Sequence, residues 1–277
     1  MTLRPATSTD LPAILEIHDY SLPDHVYAIF THPYRHIHPH AFEEYMSSSP
    51  RKKLLSASSN EYNIAIPDEN GKLVAWAFWR RNVGEKHALK IQNYKATAEA
   101  ILNGEVDVSS LLPPKELKEL GNGESGNSSL SHPRQALSNF HTLRDTVKHF
   151  SKDHYYLSHL LVHPDYKRRG YGYILTLWGL YYAAQEGLPA YLTASAEGER
   201  LYRKLGFKVI GEKSFPAISE MNDEDRAREE DIFGKEQMEE QFKVQSTKLM
   251  AWEGTKEDDI FRDKVAVEKI LSVPIGV

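Results

Sequence analysis

A chain of 277 residues with 40% apolar and 26% charged side chains has the composition of a soluble globular protein, long enough to bury a sizeable core as one large domain or two small ones. The net charge of −5 and the lack of an arginine-rich tail argue against nucleic-acid partners, and the absence of cysteine excludes disulfides, thiolate metal sites and a covalent cysteine intermediate. Met1–Ile17 lacks the apolar core of a secretory signal, and Gly170–Ala184, the longest uncharged apolar-rich stretch, is too short to cross a bilayer. Both point to a cytoplasmic or nucleocytoplasmic chain with no membrane partner.

In chain order, Leu3-Arg4-Pro5-Ala6 reads as a short strand. Thr9 then reads as the cap of a helix with Asp10 and Pro12 in its first turn and Leu11, Ile14, Leu15 and His18 on its apolar face. Ser21–Pro50 is rich in histidine and aromatic residues and predicts partly helical structure. Its His32, His36, His38 and His40 resemble a metal cluster only in composition. Nearby prolines and no carboxylate at fixed spacing make a poor zinc signature, so no metal site is expected. Strands at Tyr62–Ile66 and Lys72–Arg80 are joined by the turn Asp68-Glu69-Asn70-Gly71, and the second is apolar on both alternations, as for a strand buried on both faces.

Gly84–Phe150 breaks this rhythm and reads as an insertion. It is helix-prone near Ala88–Asn103 and Pro133–Ser151, with a mobile Gly/Ser/Asn-rich stretch at Gly121–Pro133. Then come strand Tyr155–Val162, helix Tyr171–Glu186, strand Ala190–Thr193, short helix Glu197–Leu205 and strand Phe207–Ile210. Between Glu220 and Gln241 ten acidic residues face three basic ones, which predicts a solvated helix or loop within a second, acidic insertion over 214–241. Phe242–Trp252 reads as the last strand and 254–277 as a C-terminal tail.

The stretch Lys167-Arg168-Arg169-Gly170-Tyr171-Gly172 lies between an apolar strand and a helix start. A helix N-terminus offers unpaired N–H groups and a positive dipole end, glycines let an anion approach the main chain, and three cations add charge. That combination predicts a phosphate or diphosphate site.

Leu160-Leu161-Val162-His163-Pro164, then Lys167–Gly172, then Leu201-Tyr202-Arg203-Lys204-Leu205-Gly206-Phe207 occur in an order that resembles the GNAT superfamily of N-acetyltransferases. Leu3–Ala6 and Asp10–Ile14 are similar to that family's first strand and helix. The resemblance covers roughly 1–84, 152–213 and 242–253. It implies an α/β (α+β) fold, a mixed central β-sheet flanked by helices, with both insertions inside one N-acetyltransferase domain of residues 1–253.

The resemblance implies acetyl-CoA as co-substrate and no metal. Its diphosphate is expected on the backbone amides of Arg168, Arg169, Gly170, Tyr171 and Gly172, with Lys167 standing where the motif usually has Gln or Arg. Its pantetheine is expected along Leu160, Leu161 and Val162, where a main-chain N–H polarises the thioester carbonyl. Ser195 occupies a region where many relatives have an Asn that contacts the pantetheine arm. Tyr202 matches the family's usual general acid, and an unperturbed phenol with a pKa of about 10 is a credible donor to a thiolate. Side chains alternate along a strand, which places His154, Tyr156 and Ser158 with Leu160 and Val162 and turns His159 away. Tyr156 and Ser158 are therefore the expected water-holding residues on the route to a base.

The first helical region borders the acceptor site in the family, so the histidine run with Asp19, Tyr20, Tyr27, Phe30, Tyr34 and Glu43 is expected near the acceptor. The expected reaction is transfer of acetyl to a primary amine of a small molecule by direct attack in a ternary complex, the absence of cysteine favouring that route. A protein or peptide amine and a non-catalytic acyl-CoA-binding module stay open as alternatives, as does the oligomeric state.

Overall fold

In the computed structural model, which describes residues 2–21, 26–112, 129–243, 247–271 and 273, the opening strand is β1 (Arg4–Pro5) and the first helix α1 (Leu11–Ser21). Thr7 rather than Thr9 holds the cap position. A 3-10 turn at Ser8–Asp10 leads into α1, and the Asp10 carboxylate accepts from the Thr7 N–H at 2.8 Å and from both Arg4 terminal nitrogens at 2.6 and 2.7 Å. The histidine-rich region forms α2 (Val26–Thr31), a 3-10 turn at Pro33–His36 and α3 (Pro39–Leu55). His32 is buried against Phe42 and Tyr45, while His36, His38 and His40 are exposed; among the described residues no group of three metal-binding side chains could hold an ion.

β2 (Glu61–Pro67) and β3 (Leu73–Asn82) form the predicted hairpin. Its turn has Gly71 at φ 82° and the Asp68 carboxylate accepting from the N–H groups of Asn70 and Lys72. All residues from Leu73 to Trp79 are buried, as the double apolar alternation requires. The first insertion is a helix pair, α4 (Gly84–Leu102) and α5 (His132–His149), packed through Ala98, Phe140 and Leu143. Of the stretch read as mobile, residues 121–128 lie outside the described residues. Ser129 and Ser131 are buried, and the Ser131 hydroxyl caps α5.

β4 (His154–Val162), α6 (Tyr171–Glu186), β5 (Ala190–Ala194), α7 (Ala196–Lys204) and β6 (Lys208–Glu212) follow in the predicted order. The acidic run is helical, as α8 (Asp223–Phe233) and α9 (Lys235–Phe242). The last strand, β7 (Lys248–Trp252), is shorter than predicted because Phe242 ends α9 and packs edge-on against Phe30 at 5.1 Å. Beyond it, α10 (Lys264–Leu271) carries Ala266 and Ile270 into the main core, and the Val273 carbonyl accepts from the Trp178 indole at 2.9 Å.

The strands make one sheet in the order β1-β2-β3-β4-β5-β7-β6, antiparallel except for the parallel pair β4–β5. This is the mixed sheet expected from the sequence. Helix α6 covers one face through Ala75, Ala77, Trp79, Tyr155 and Leu157. On the other face α1 packs on Trp76 and Phe78, and Phe150 at the end of α5 packs on Tyr191, Leu249 and Ala251. Burial of these apolar surfaces drives the layering.

Trp79 lies against α6 so closely that a Cβ on Gly179 would come within 2.2–2.5 Å of its indole atoms. The indole is fully buried and donates to the Leu175 carbonyl at 3.1 Å, so it has no room to yield. Gly179→Ala is expected to destabilise the protein by about 3 kcal/mol, lowering Tm by roughly 5–10 °C. A thermal melt superimposing on that of the wild type refutes the fit.

Candidate active site

The stretch Lys167–Gly172 links β4 to α6 through a 3-10 turn at Pro164–Tyr166. Two of its residues take left-handed backbone conformations, Arg168 at φ 66° and Gly170 at φ 84°. Glycine adopts this freely, but a side-chain-bearing residue does so at a cost that folds tolerate mainly at working sites. The result is a row of exposed donors. The Lys167 N–H still bonds to Pro164, and the first satisfied amide of the helix is that of Ile174, to Gly170 at 3.1 Å. Between them, the amides of Arg168, Arg169, Gly170, Tyr171, Gly172 and Tyr173 have no backbone acceptor among the described residues. Six such donors at the positive end of a helix dipole can receive an anion such as a diphosphate.

The cations around it are held differently. Lys167 Nζ reaches across to Glu197 at 2.9 Å, Arg168 is exposed, and the Arg169 guanidinium lies 4.9 Å over the Tyr166 ring and donates to the Asp165 carbonyl. The Tyr166 hydroxyl donates to Asp68 at 3.0 Å, so the β2–β3 turn braces the phosphate turn through one ring.

From this turn a cleft of about 850 Å³ runs inward, lined by Leu160, Val162, Ser195, Gly198, Leu201 and Tyr202. It exists because the sheet opens at its centre. β5 pairs with β4 only from Tyr155 to Leu157, after which the strands part and the edge of β4 is free. Residues 158–162 are consequently half exposed although they sit on the middle strand. Leu160 and Val162 face the cleft, whereas Leu161 packs on the opposite side with Trp76 and Phe78. A Cβ on Gly172 would contact Leu201 at 3.3 Å and Leu160 at 3.6 Å, so the glycine keeps the cleft wall thin.

The expected alternation along β4 does not hold. Phe78 pairs with His159 and Trp79 with Leu157, leaving Ser158 as an extra residue in a β-bulge. The bulge restarts the alternation, so Tyr156 lies on the same face as His159 and opposite to Leu160 and Val162. Tyr156 and Ser158 therefore line the α1 side of the opening, not the α6 side. Tyr156 Oη is 3.2 Å from the Thr193 hydroxyl and is pushed up by burial. Ser158 Oγ accepts from Arg80 at 3.0 Å and lies 3.1 Å from His159 Nδ1.

Tyr202 is buried with its ring against Phe207, and it lines the cleft. Burial, then the neighbouring Tyr156, raises its phenol well above the ordinary value, so it is protonated throughout the neutral range. Its position depends on Gly198, where a Cβ would stand 2.9 Å from Tyr202 Cε2. Ser195 caps α7 by accepting from the Gly198 N–H at 3.2 Å, which commits its hydroxyl to the helix end while it lines the cleft. Sequence reading missed Gly198, Asp68, Tyr166 and Asp263, which also lines the cleft. Only Gly198 carried a local signal, a glycine inside a nine-residue helix.

Comparisons with known proteins agree with this geometry. Residues 135–207 match the model of the acetyltransferase (GNAT) family, a segment that spans β4, the phosphate turn, α6, β5 and α7. An acetyltransferase from Stachybotrys chartarum is 41% identical over 56 residues, 20% of this chain and 24% of that protein, so the match spans about a quarter of that relative's length. Among solved structures, a Corynebacterium glutamicum protein described as histone acetyltransferase HPA2 and related acetyltransferase superposes with a TM-score of 0.50 at 16% identity, covering 93% of this chain and 98% of that one. A polyamine N acetyltransferase from Drosophila melanogaster gives 0.49 at 14% identity, covering 91% of this chain and 99% of that one. The family segment thus coincides with the open sheet and its donor-lined turn, and over residues 135–207 the chain is similar to the acetyltransferase (GNAT) family.

Proposed function

We propose that the protein is an acetyl-CoA-dependent N-acetyltransferase that passes acetyl to a primary amine of a small molecule within a ternary complex. The observation that carries this reading is the run of six amides without backbone acceptors, Arg168 to Tyr173, beside a cleft that is also lined by a buried, protonated Tyr202. Acetyl-CoA, when bound, supplies an acyl group activated as a thioester. The amides of the turn fit its diphosphate, and Lys167 and Arg168 add charge beside them. The free edge of β4 at Leu160–Val162 supplies main-chain groups to orient an extended arm. Tyr202 holds a proton at Oη where a leaving thiolate needs one.

The amine enters from the other face, where Tyr156 and Ser158 form the floor. One side of that floor is α1 and α3. On the other, Phe150 at the end of the first insertion packs on Tyr156 at 5.6 Å, and the two insertions are bonded to each other through Arg134–Glu229 at 2.6 Å, His141–Glu220 at 2.8 Å and Ser214–Asp145 at 2.9 Å. Walls on both sides suit a compact amine better than an extended chain.

The test is an acceptor panel with acetyl-CoA and a thiol reagent. The chain has no cysteine, so all thiol detected derives from CoA. Tight acetyl-CoA binding without thiol release from any amine defeats the enzyme reading. Tyr202→Phe preserves the ring contacts and is expected to lower kcat by about 100-fold with little change in acetyl-CoA affinity. Unchanged turnover removes Tyr202 from the mechanism.

A further inference from the structure

Arg80 and Lys53 are two cations on the acceptor face that the proposed reaction does not use. Arg80 leaves β3 beside Tyr156 of β4, and its guanidinium lies 5.7 Å from the Phe78 ring centre and 6.0 Å from that of Tyr156. One terminal nitrogen donates to Ser158, while Nε is enclosed with no hydrogen-bond partner. Lys53, from the last turn of α3, lies 5.9 Å from the same Phe78 ring and donates to the Ser49 hydroxyl.

Among the described residues neither cation has a carboxylate within ion-pair distance. Arg4, Arg81 and Arg134, likewise partly or fully buried, pair with Asp10, Glu186 and Glu229, whereas Arg35 is held by the carbonyls of Ile29 and His32. Glu61, the acid that acts on Lys53 electrostatically, is already an acceptor for the Ser58 N–H at 2.9 Å. Burial, and then Arg80, pushes the Lys53 ammonium down to about 8, which is the mark of a positive charge lacking its counter-ion. Charges withdrawn from water in this way are retained only where something compensates them.

Resting on the acetyltransfer reading above, we propose that the acceptor is an amine that also bears a carboxylate, which Arg80 and Lys53 hold on the α1 face of the sheet. The placement suits this. The Tyr156 ring carries Arg80 on one side, bonds to Thr193 and acts on the Tyr202 hydroxyl. An anion at Arg80 is thus linked to the proton donor through the Tyr156 ring, and the proposed acceptor has a short carbon chain between carboxylate and amine. Arg80 keeps terminal N–H groups beyond the one that Ser158 uses, and an end-on guanidinium fork matches a carboxylate, while Lys53 adds a point charge. Ser158 and His159 Nδ1 complete the polar lining, and Phe78 and Trp76 supply the apolar wall.

The experiment compares glycine, β-alanine and γ-aminobutyrate with uncharged amines of matched length and with the diamine putrescine, as kcat/KM for CoA release. At least one amino acid is expected to exceed its uncharged match by about 100-fold. Arg80→Gln, which keeps a donor for Ser158, is expected to collapse that ratio to within about 3-fold, and Arg80→Lys to restore it only in part, because an ammonium lacks the fork. Equal or better use of the uncharged amines or of putrescine overturns the proposal while leaving acetyltransfer intact. Should no amine release CoA, calorimetry with N-acetyl-γ-aminobutyrate in the presence of CoA still decides. Binding to the wild type that is lost in Arg80→Gln supports the carboxylate site, and no binding to either overturns it.

Discussion

Gly170→Glu is expected to weaken acetyl-CoA binding by at least about 100-fold, nearly 3 kcal/mol, while leaving the fold intact. The position explains both halves of that outcome. No atom lies within 4 Å of the place where a Cβ would stand, so the side chain meets no protein. The cost to stability comes only from forcing a side-chain-bearing residue to φ 84°, about 1–2 kcal/mol. The carboxylate, however, projects from the middle of the unpaired amides, where a diphosphate must sit. Two unit charges about 4 Å apart repel by about 4 kcal/mol at an effective dielectric of 20. Gly170→Ala separates the two effects, since it carries the backbone strain without the charge and should retain most of the affinity. Calorimetric titration of both variants with acetyl-CoA reads the difference, and a Gly170→Glu protein that binds as well as wild type places the diphosphate elsewhere.

Glu229→Ala should be the most destabilising single change outside the apolar core. Glu229 on α8 and Arg134 on α5 are both fully buried, bonded at 2.6 Å, with Ser131 donating to the same carboxylate and Gln241 accepting from the guanidinium at 2.8 Å. Removing the acid leaves a desolvated cation between the rings of Phe30 and Phe242, a loss of about 3–5 kcal/mol. The double change Arg134→Met with Glu229→Leu should cost less than the single one, because neither charge is then stranded. Denaturant melts of the three proteins test this, and a double variant weaker than Glu229→Ala contradicts it. Acetyl-CoA binding by any folded fraction should persist, since the cofactor cleft is lined by β4, α6 and α7.

The two halves of the site differed in how far they could be read from the sequence. The cofactor half is built from contiguous residues, and its chemistry is a property of the main chain. Glycines at positions that need left-handed φ, a helix start after an apolar strand and three adjacent cations are all local signals, and they led directly to the amides of Arg168–Gly172. Tyr202 was singled out by the resemblance of Leu201–Phe207 to the family motif, and the structure places it on α7, which follows β5 after one residue. The acceptor half was misread at one point. Strict alternation from Tyr156 to Val162 ignores the extra residue at Ser158, and nothing in Tyr-Leu-Ser-His-Leu announces a bulge. It lies where β3 stays in register with β2 while its register with β4 shifts, and where β5 has already left β4.

The sequence by itself determined the order of most strands and helices, the glycine turn after β4 and the doubly buried β3, because each follows from patterns within a few residues. Tertiary structure decided what distant segments do to one another. Arg80 and Lys53 meet at the Phe78 ring although they are far apart in the chain, and Arg134 finds Glu229 from the other insertion. The acidic run that reads as a solvated surface thereby contributes a buried counter-ion. A charge's sign is written in its residue, but whether that charge is solvated, paired or left waiting for a ligand depends on which elements pack around it.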